Sequence, residues 1–298
     1  MEDKSTNEPK FLLNGELAAH LLPGDLDDFN SLVGGINPNK PHKDKFLMDH
    51  SKRILYKILS SQPKGYNEAR FYHLVFCGNS DPFLKTLRDF LPAYRGLFHR
   101  PTTRQYFIAL DNVQYGMRNP NSMDVKLGQQ SYVPTASPNK MKTEEAKYRW
   151  RRQLGFFITG MKLDGIFYDR NHGSSLCPDT IYEKGICLFL DGKVDNEKVK
   201  LQRRSILGRM FAERVGSLKA WFETQETHRF IASSLFLCYD WQGCDIKPII
   251  SFHLIDFARW YTVENTGNEM PSRDENCLFG LKKLHSLFQQ ASEKTLNN

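Results

Sequence analysis

Paired cysteines and long apolar runs are both missing from this sequence of 298 residues. Its six cysteines include no C-x-x-C pair, so a zinc site has no support. The N-terminus, MEDKSTNEPK, does not resemble a signal peptide, and we expect reduced thiols in a nuclear or cytoplasmic protein. Because no apolar run approaches the ~18 residues that cross a bilayer, we expect a soluble chain without a transmembrane segment.

Two motifs that mark large classes of nucleotide-binding enzymes are also absent. The P-loop pattern G-x-x-x-x-G-K-[ST] does not occur, which excludes a P-loop enzyme. The His-Arg-Asp catalytic loop of protein kinases is missing as well, and the nearest match is His228-Arg229-Phe230. A protein kinase is therefore a weak hypothesis.

The composition is that of a folded protein with a mild excess of positive charge. Hydrophobic residues make up 40% and aromatic residues 12%, which favours a packed core, in one large domain or in two lobes that share a cleft. Lys and Arg number 41 against 34 Asp and Glu, so the net charge is +7. This excess favours an anionic partner without distinguishing nucleic acid, a membrane surface or a phosphorylated metabolite.

The stretch PNSMDVKLGQQSY, residues 120–132, places an acid two positions from a base. In an extended strand residues i and i+2 point to the same face, so Asp124 and Lys126 would meet one partner while the apolar residues between them turn to the core. Adjacent carboxylate and ammonium groups suit a ligand that carries hydroxyls and phosphates. The alternative is a solvated strand with an ion pair on its face, because exposed Asp and Lys are common.

Three motifs in order carry a resemblance to a known family. They are Pro120-x-x-x-Asp124-x-Lys126-x-Gly128 with its continuation SYVPTAS, ASSLFLCYD at residues 232–240, and LIDFA at residues 254–258. Together they resemble the signatures of the inositol polyphosphate kinase family, and the similarity extends from about Ile54 to about Gln289. Among the classes of that family, the multikinases are the most similar.

The resemblance implies an α+β fold, two-lobed and kinase-like, with antiparallel sheets and a small helical inositol-binding insertion. We expect an N-terminal arm over residues 1–28, an ATP-binding N-lobe over 29–113 and a C-lobe over 114–298, with the inositol-phosphate-binding helical segment at about 135–185. Apolar spacing also predicts one or two amphipathic helices over about 198–225 and a last helix over about 275–291.

One lysine and one glutamate are candidates for holding the donor phosphates. The run RILYKIL, residues 53–59, predicts a strand in which Lys57 is half-buried and needs a partner. Glu68 lies near the start of the next predicted helix, where a carboxylate also suits the helix dipole. Kinase-type folds use such a pair to direct a lysine toward nucleotide phosphates, and the resemblance gives Lys57 and Glu68 these roles. Without the resemblance, a plain surface ion pair is favoured.

The resemblance also implies an adenine-binding site and a catalytic pair. The strand RQYFIALDNV, residues 104–113, ends in Asp111 and Val113, whose backbone carbonyl and amide, respectively, would bind adenine. Asp124 would hold the ATP ribose or align the pocket. Lys126 would contact the attacked hydroxyl and an acceptor phosphate.

Asp256 lies at the mouth of a predicted strand, because it follows a long apolar run in KPIISFHLIDFARW. Mg²⁺ often takes only one or two oxygen ligands from protein while it bridges phosphate oxygens. We therefore predict Asp256 as the metal ligand, with ATP and Mg²⁺ as the cofactors. The alternative is an aspartate that caps a turn.

A helix is predicted after the central stretch, with Ser137 as its N-cap, Pro138 at its first position and its end at Gly155. At 100° per residue, Lys140, Lys147 and Arg151 would lie within about 40° of one another on its surface. Such a stripe suits a ligand with several phosphates.

Glu144 offers an alternative, since it could pair with Lys140 and Lys147 at spacings i−4 and i+3. By resemblance, these two lysines match acceptor-binding residues of the family. Arg259 stands where multikinases usually carry a histidine, and its guanidinium would keep a positive contact to a phosphate.

The sequence departs from the family pattern on the acceptor side. Thr143 and Glu144 replace glutamines of the acceptor helix, Val133 replaces an acid, and Ser174 stands where an arginine is expected. These departures bear on which ring hydroxyl is phosphorylated. No recognisable calmodulin-binding insertion lies between Gly155 and Ala232, which argues against the dedicated trisphosphate 3-kinase class.

Three functions compete. The first is an ATP-dependent kinase that converts inositol tris- and tetrakisphosphates to the pentakisphosphate, with phosphatidylinositol bisphosphate headgroups as a further substrate. The second is a kinase that makes pyrophosphates from inositol hexakisphosphate. The third is a non-catalytic adaptor, which an intact Lys57, Asp124, Lys126 and Asp256 disfavour. We expect a monomer whose partners are inositol polyphosphates and phosphoinositide headgroups, with no direct contact to nucleic acid.

Overall fold

The computed structural model describes residues 17–29, 46–78, 81–241, 247–265 and 270–293. Within these ranges the chain divides into two compact units, one ending at Tyr115 and the other beginning at Gly116. None of the helices in these ranges combines the length and the apolarity that a membrane span requires. The five cysteines in these ranges are free thiols.

The first unit is built on a six-stranded sheet in the order β1-β5-β6-β4-β3-β2. Neighbouring strands are antiparallel except β1 and β5, which are parallel. The elements are β1 (Ala19–Leu21), β2 (Asp27–Asp28), β3 (Phe46–Met48), β4 (Ile54–Ile58), α1 (Lys64–Phe76), α2 (Pro82–Leu87), β5 (Tyr94–Arg100) and β6 (Gln105–Asp111).

Apolar side chains on one face of this sheet form a core. Leu47, Tyr56, Phe107 and Ala109 are buried together there, as the apolar runs of β4 and β6 require. Local signals set the helix start as well: the Asp81 carboxylate accepts hydrogen bonds from two amides of the first turn of α2, and proline holds its first position.

The N-terminal arm predicted for residues 1–28 needs a correction where the structure describes it. Ala19–Leu21 pairs with Leu97–His99, and Asp27–Asp28 pairs with Leu47–Met48, so both segments are edge strands of the sheet. Backbone hydrogen bonds to strands that are distant in sequence hold these two segments in the sheet. The polar local sequence does not reveal those partners.

The second unit contains a five-stranded antiparallel sheet in the order β12-β11-β7-β8-β9 and a two-stranded pair of β10 and β13. The strands are β7 (Asn121–Leu127), β8 (Phe156–Leu163), β9 (Ile166–Tyr168), β10 (His228–Phe230), β11 (Ser234–Asp240), β12 (Ile249–Ile255) and β13 (Trp260–Thr262). The helices are α3 (Pro138–Glu145), α4 (Arg151–Leu154), α5 (Arg170–Ser175), α6 (Leu188–Asp191), α7 (Glu197–Thr224) and α8 (Glu275–Glu293).

Strand β7 is the centre of this sheet, and Met123, Val125 and Leu127 on it are fully buried, as predicted. The segment predicted over about 198–225 is one continuous helix, α7, which packs against α8 through Phe211 and Phe288. The last predicted helix is likewise confirmed as α8. Helices combined with antiparallel sheets confirm the predicted α+β class.

Candidate functional site

Lys57 and Glu68 form a partly buried ion pair in the first unit. The Lys57 Nζ to Glu68 Oε1 distance is 2.7 Å, and the two side chains are 19% and 4% exposed. The predicted pair is therefore confirmed, and its burial excludes the plain surface ion pair. The helix-dipole argument was wrong, because α1 begins at Lys64 and Glu68 lies beyond its first turn.

The predicted adenine-binding site lies at the end of β6. This strand pairs with β4, which contains Lys57. Lys57 is opposite Ile108, three residues before Asp111, so about 10 Å of strand separates the two positions. The Asp111 carboxylate accepts two hydrogen bonds from Arg95, at 2.6 and 2.7 Å. The Asp111 amide donates to the Ala93 carbonyl at 2.9 Å, so the adenine prediction concerns the Asp111 carbonyl, and Val113 follows two residues later.

Asp124 is a buried carboxylate in the centre of the second unit. Its residue is 7% exposed, and among the described residues nothing donates a hydrogen bond to its Oδ1. Burial, and then the negative charge of Asp256, raise the pKa of this carboxyl to about 6, although Lys126 and two nearby hydroxyls lower it. A solvated strand with a surface ion pair is thus excluded.

Lys126 and Asp256 complete this group, which we call the acidic site and define as Asp124, Lys126 and Asp256. The Lys126 ammonium donates to the Ala232 carbonyl at 3.2 Å, just before β11. Asp256 directly follows β12 and has a left-handed backbone, with φ of 67°. The Ser233 hydroxyl donates to the Asp256 carbonyl at 2.9 Å, which ties the residue to the start of β11.

The acidic site fits a divalent cation on one observation, the Asp124 oxygen that lacks a donor beside a second carboxylate. The negative charge of Asp256 raises the pKa of Asp124, and a cation bound near the two carboxylates would relieve this repulsion. No group of three or more His, Cys, Asp or Glu residues with metal-binding geometry exists in the described ranges. Asp256 would therefore hold a cation close to the buried charge of Asp124, and the cation would take its other oxygens from a ligand and water, as Mg²⁺ commonly does.

Glu144 lies at the centre of a second group, the basic cluster, which we define as Glu144 with Lys140, Lys147 and Arg259. Its carboxylate is 2.6 Å from Lys140 Nζ, 2.7 Å from Lys147 Nζ and 3.8 Å from Arg259 Nη2. The Ser131 hydroxyl donates to it at 3.0 Å. The alternative pairing of Glu144 with both lysines is confirmed.

The pKa of the Glu144 carboxyl is shifted in the opposite direction to that of Asp124. Burial alone would raise the pKa of its carboxyl, but hydrogen bonds from Lys140, Lys147 and Ser131 lower it to about 2. Glu144 is 4% exposed, whereas the two lysine side chains are 45% and 39% exposed. The carboxylate is therefore a buried anchor for two cations that reach the surface.

The helix predicted to run from Pro138 to Gly155 was wrong beyond its first part. Helix α3 starts as predicted, with the Ser137 side chain as its cap, but it ends at Glu145. Tyr148 follows in the break, where its ring stacks on Phe157 and its hydroxyl donates to the Leu176 carbonyl at 2.9 Å. This burial overrides the helical preference of the local sequence.

Arg151 does not join Lys140 and Lys147 in a surface stripe. It is buried, and its guanidinium donates to the carbonyls of Leu127 and Gly128 at 2.8 and 2.9 Å. No local pattern in the sequence signals this role, because both carbonyls lie more than 20 residues away from Arg151. A cavity of about 310 Å³ lies beside Arg151 and Glu144, but the acceptor lysines do not line it.

A family model for inositol polyphosphate kinases matches residues 107–289, a segment that contains all three motifs. The chain belongs to the inositol polyphosphate kinase family. It is 30% identical over 207 residues to the human inositol polyphosphate multikinase, a match that covers 66% of this chain and 48% of that protein. It is 28% identical over 142 residues to the human inositol hexakisphosphate kinase 1, covering 46% of this chain and 31% of that protein.

The fold of this family member also resembles a solved structure. A crystal structure of the inositol phosphate multikinase of S. cerevisiae, in complex with ADP and Mn²⁺, matches with a TM-score of 0.62 and 22% identity, over 80% of this chain and 98% of that one. This likeness shows the shared fold. The chain spans about half the length of the curated relatives it matches.

Proposed function

We propose that this chain is an ATP-dependent kinase that phosphorylates ring hydroxyls of inositol tris- and tetrakisphosphates. Family membership supports it, as does the 30% identity over 207 residues to a relative named as a multikinase, against 28% over 142 residues to hexakisphosphate kinase 1. The observation that carries the proposal is the Asp124 carboxylate, buried beside Asp256 with an oxygen that has no donor in the described ranges. A binding module has no need of this costly arrangement, which disfavours a non-catalytic adaptor.

The reaction moves the γ-phosphoryl group of ATP to a ring hydroxyl, so a new oxygen–phosphorus bond forms while the bond to the β-phosphate oxygen breaks and ADP leaves. Such transfer depends mostly on positioning and charge neutralisation. We assign the donor phosphates to Lys57, oriented by Glu68, and adenine to the backbone of Asp111 and Val113. Asp256 would hold a Mg²⁺ ion, which would supply positive charge to the phosphate oxygens.

The acceptor side is assigned to Lys126, the exposed ends of Lys140 and Lys147, and Arg259. Lys126 would contact the attacked hydroxyl and a neighbouring phosphate. The free oxygen of Asp124 would accept a hydrogen bond from a ribose hydroxyl of ATP, and the same carboxylate would fix the position of Lys126.

The experiment is to incubate the protein with labelled ATP, Mg²⁺ and a panel of inositol phosphates from tris- to hexakisphosphate, and to resolve the product isomers. Conversion of tris- and tetrakisphosphates to pentakisphosphate supports the proposal. Exclusive formation of a pyrophosphate from the hexakisphosphate would establish the second function instead. If no phosphorylated product forms although inositol phosphates bind, the protein is a non-catalytic adaptor.

We further propose that the headgroup of phosphatidylinositol bisphosphate is a substrate, since it presents the same phosphates and hydroxyls. Vesicles with and without this lipid, incubated with labelled ATP, test it directly. A monomer in the nucleus or cytoplasm is proposed as well. Sedimentation velocity and imaging of a tagged chain are the corresponding measurements.

A further inference from the structure

The basic cluster contains one charge that a phosphate-binding site would not need. Lys140 and Lys147 both direct their ammonium groups to the Glu144 carboxylate, at 2.6 and 2.7 Å, and Arg259 lies at 3.8 Å. Three positive side chains therefore surround one negative side chain. The carboxylate occupies, within the protein, the position relative to these cations that a phosphate oxygen of a ligand would take.

Glu144 is ionised at neutral pH, in contact with the lysines that pair with it. Hydrogen bonds from the two lysines and Ser131 outweigh burial and hold its pKa at about 2. A phosphate that approaches the lysines must therefore share them with a carboxylate, and like charges at such short range repel. A ring hydroxyl in the same place would be accepted, because it can donate a hydrogen bond to the carboxylate.

We propose that Glu144 is a specificity-determining residue that selects acceptors with fewer phosphates by partly neutralising Lys140 and Lys147. The inference rests on the proposed function for its ligand class, inositol polyphosphates. A glutamine in this place would have nearly the same shape, but it would leave both lysines available and could itself donate a hydrogen bond to a phosphate.

The test compares binding of inositol trisphosphate and inositol hexakisphosphate, by isothermal titration calorimetry without ATP, to the wild-type protein and to Glu144→Gln. Release of two lysines should tighten hexakisphosphate binding by about tenfold or more, and trisphosphate binding by about threefold or less. The matched control is Glu197→Gln, which removes an exposed glutamate that pairs with Lys200 at 2.7 Å with the same i,i+3 spacing. It should change neither affinity by more than about twofold.

Unchanged selectivity in Glu144→Gln, or weaker binding of both ligands, would overturn the proposal. Glu144 would then only hold the two lysine side chains in position. Circular dichroism establishes that the variant folds. Should it not, Glu144→Asp draws the carboxylate back by one methylene group, and we expect an intermediate gain for the hexakisphosphate; binding equal to wild type then refutes the proposal. These titrations need no turnover. If the protein phosphorylates nothing, the proposed function fails, but the binding comparison still tests the role of Glu144.

Discussion

The substitution Asp124→Asn should stabilise the protein while it abolishes phosphoryl transfer. The carboxyl of Asp124 is buried, and burial together with the charge of Asp256 raises its pKa from 3.8 to about 6. A folded-state pKa above the unfolded value means that ionisation opposes folding. The stability that the protonated group contributes is complete below about pH 3.8 and is lost as the pH rises through 6.

The size of the effect follows from that shift. A change from 3.8 to about 6 is about two pKa units, and each unit corresponds to about 1.4 kcal/mol. Asparagine has a similar shape and no charge to bury. We therefore expect Asp124→Asn to raise the free energy of unfolding by about 3 kcal/mol at pH 7.5 and by roughly half of that at pH 5. Turnover should fall to background, because ATP and Lys126 both lose the carboxylate that would position them.

Urea unfolding at pH 5, 6 and 7.5, without nucleotide or metal, measures this effect. All four tryptophans, at 150, 221, 241 and 260, lie after Gly116, so their fluorescence reports on the unit that contains Asp124. Glu145→Gln is the control, since hydrogen bonds from Tyr132 and Arg152 lower the pKa of that carboxyl and its removal should bring no gain. A variant no more stable than wild type, or a gain independent of pH, would refute the reasoning.

Four further predictions concern single side chains. Asp256→Asn should abolish ATP turnover with an unchanged circular dichroism spectrum, because only the metal ligand is lost; near-normal turnover would contradict the metal assignment. Lys147→Ala should raise the KM for the inositol phosphate more than the KM for ATP, and equal effects would count against its acceptor role. Lys57→Met should raise the KM for ATP and, by leaving buried Glu68 without its ammonium partner, lower the unfolding free energy by about 1–3 kcal/mol, whereas an unaltered KM would remove Lys57 from the donor site. Arg151→Met should destabilise the second unit by about 2–4 kcal/mol, since two backbone carbonyls lose a charged donor, and an unshifted urea midpoint would show that those hydrogen bonds contribute little.

Local patterns predicted the parts of the fold that depend on local physics. The Ser137 cap and the following proline gave the start of α3, because an N-cap bond joins residues three apart. Alternation along residues 121–127 identified β7 and its buried face. The strand lysine and the helix glutamate also met as expected, since an uncompensated charge at position 57 would be costly to bury.

Long-range contacts decided the features that the sequence could not predict. The segment after Glu145 has the composition of a helix, yet Tyr148 inserts between elements and its hydroxyl requires the distant Leu176 carbonyl. Arg151 likewise turns inward to backbone carbonyls of the 127–128 turn. The edge strand at residues 19–21 depends on Leu97–His99. Each of these partners lies far away in the sequence, and no spacing pattern reports it.

Asp124 and Glu144, two of the buried carboxylates of the second unit, have pKa values shifted in opposite directions. Burial raises the pKa in both, so the difference comes from their donors. Glu144 is surrounded by two lysines and a hydroxyl, and its pKa falls to about 2. Asp124 faces another carboxylate, and its pKa rises to about 6. A cation or a hydrogen-bond donor from a ligand is therefore stabilising at Asp124, whereas a phosphate near Glu144 must compete with a charge that the protein already supplies.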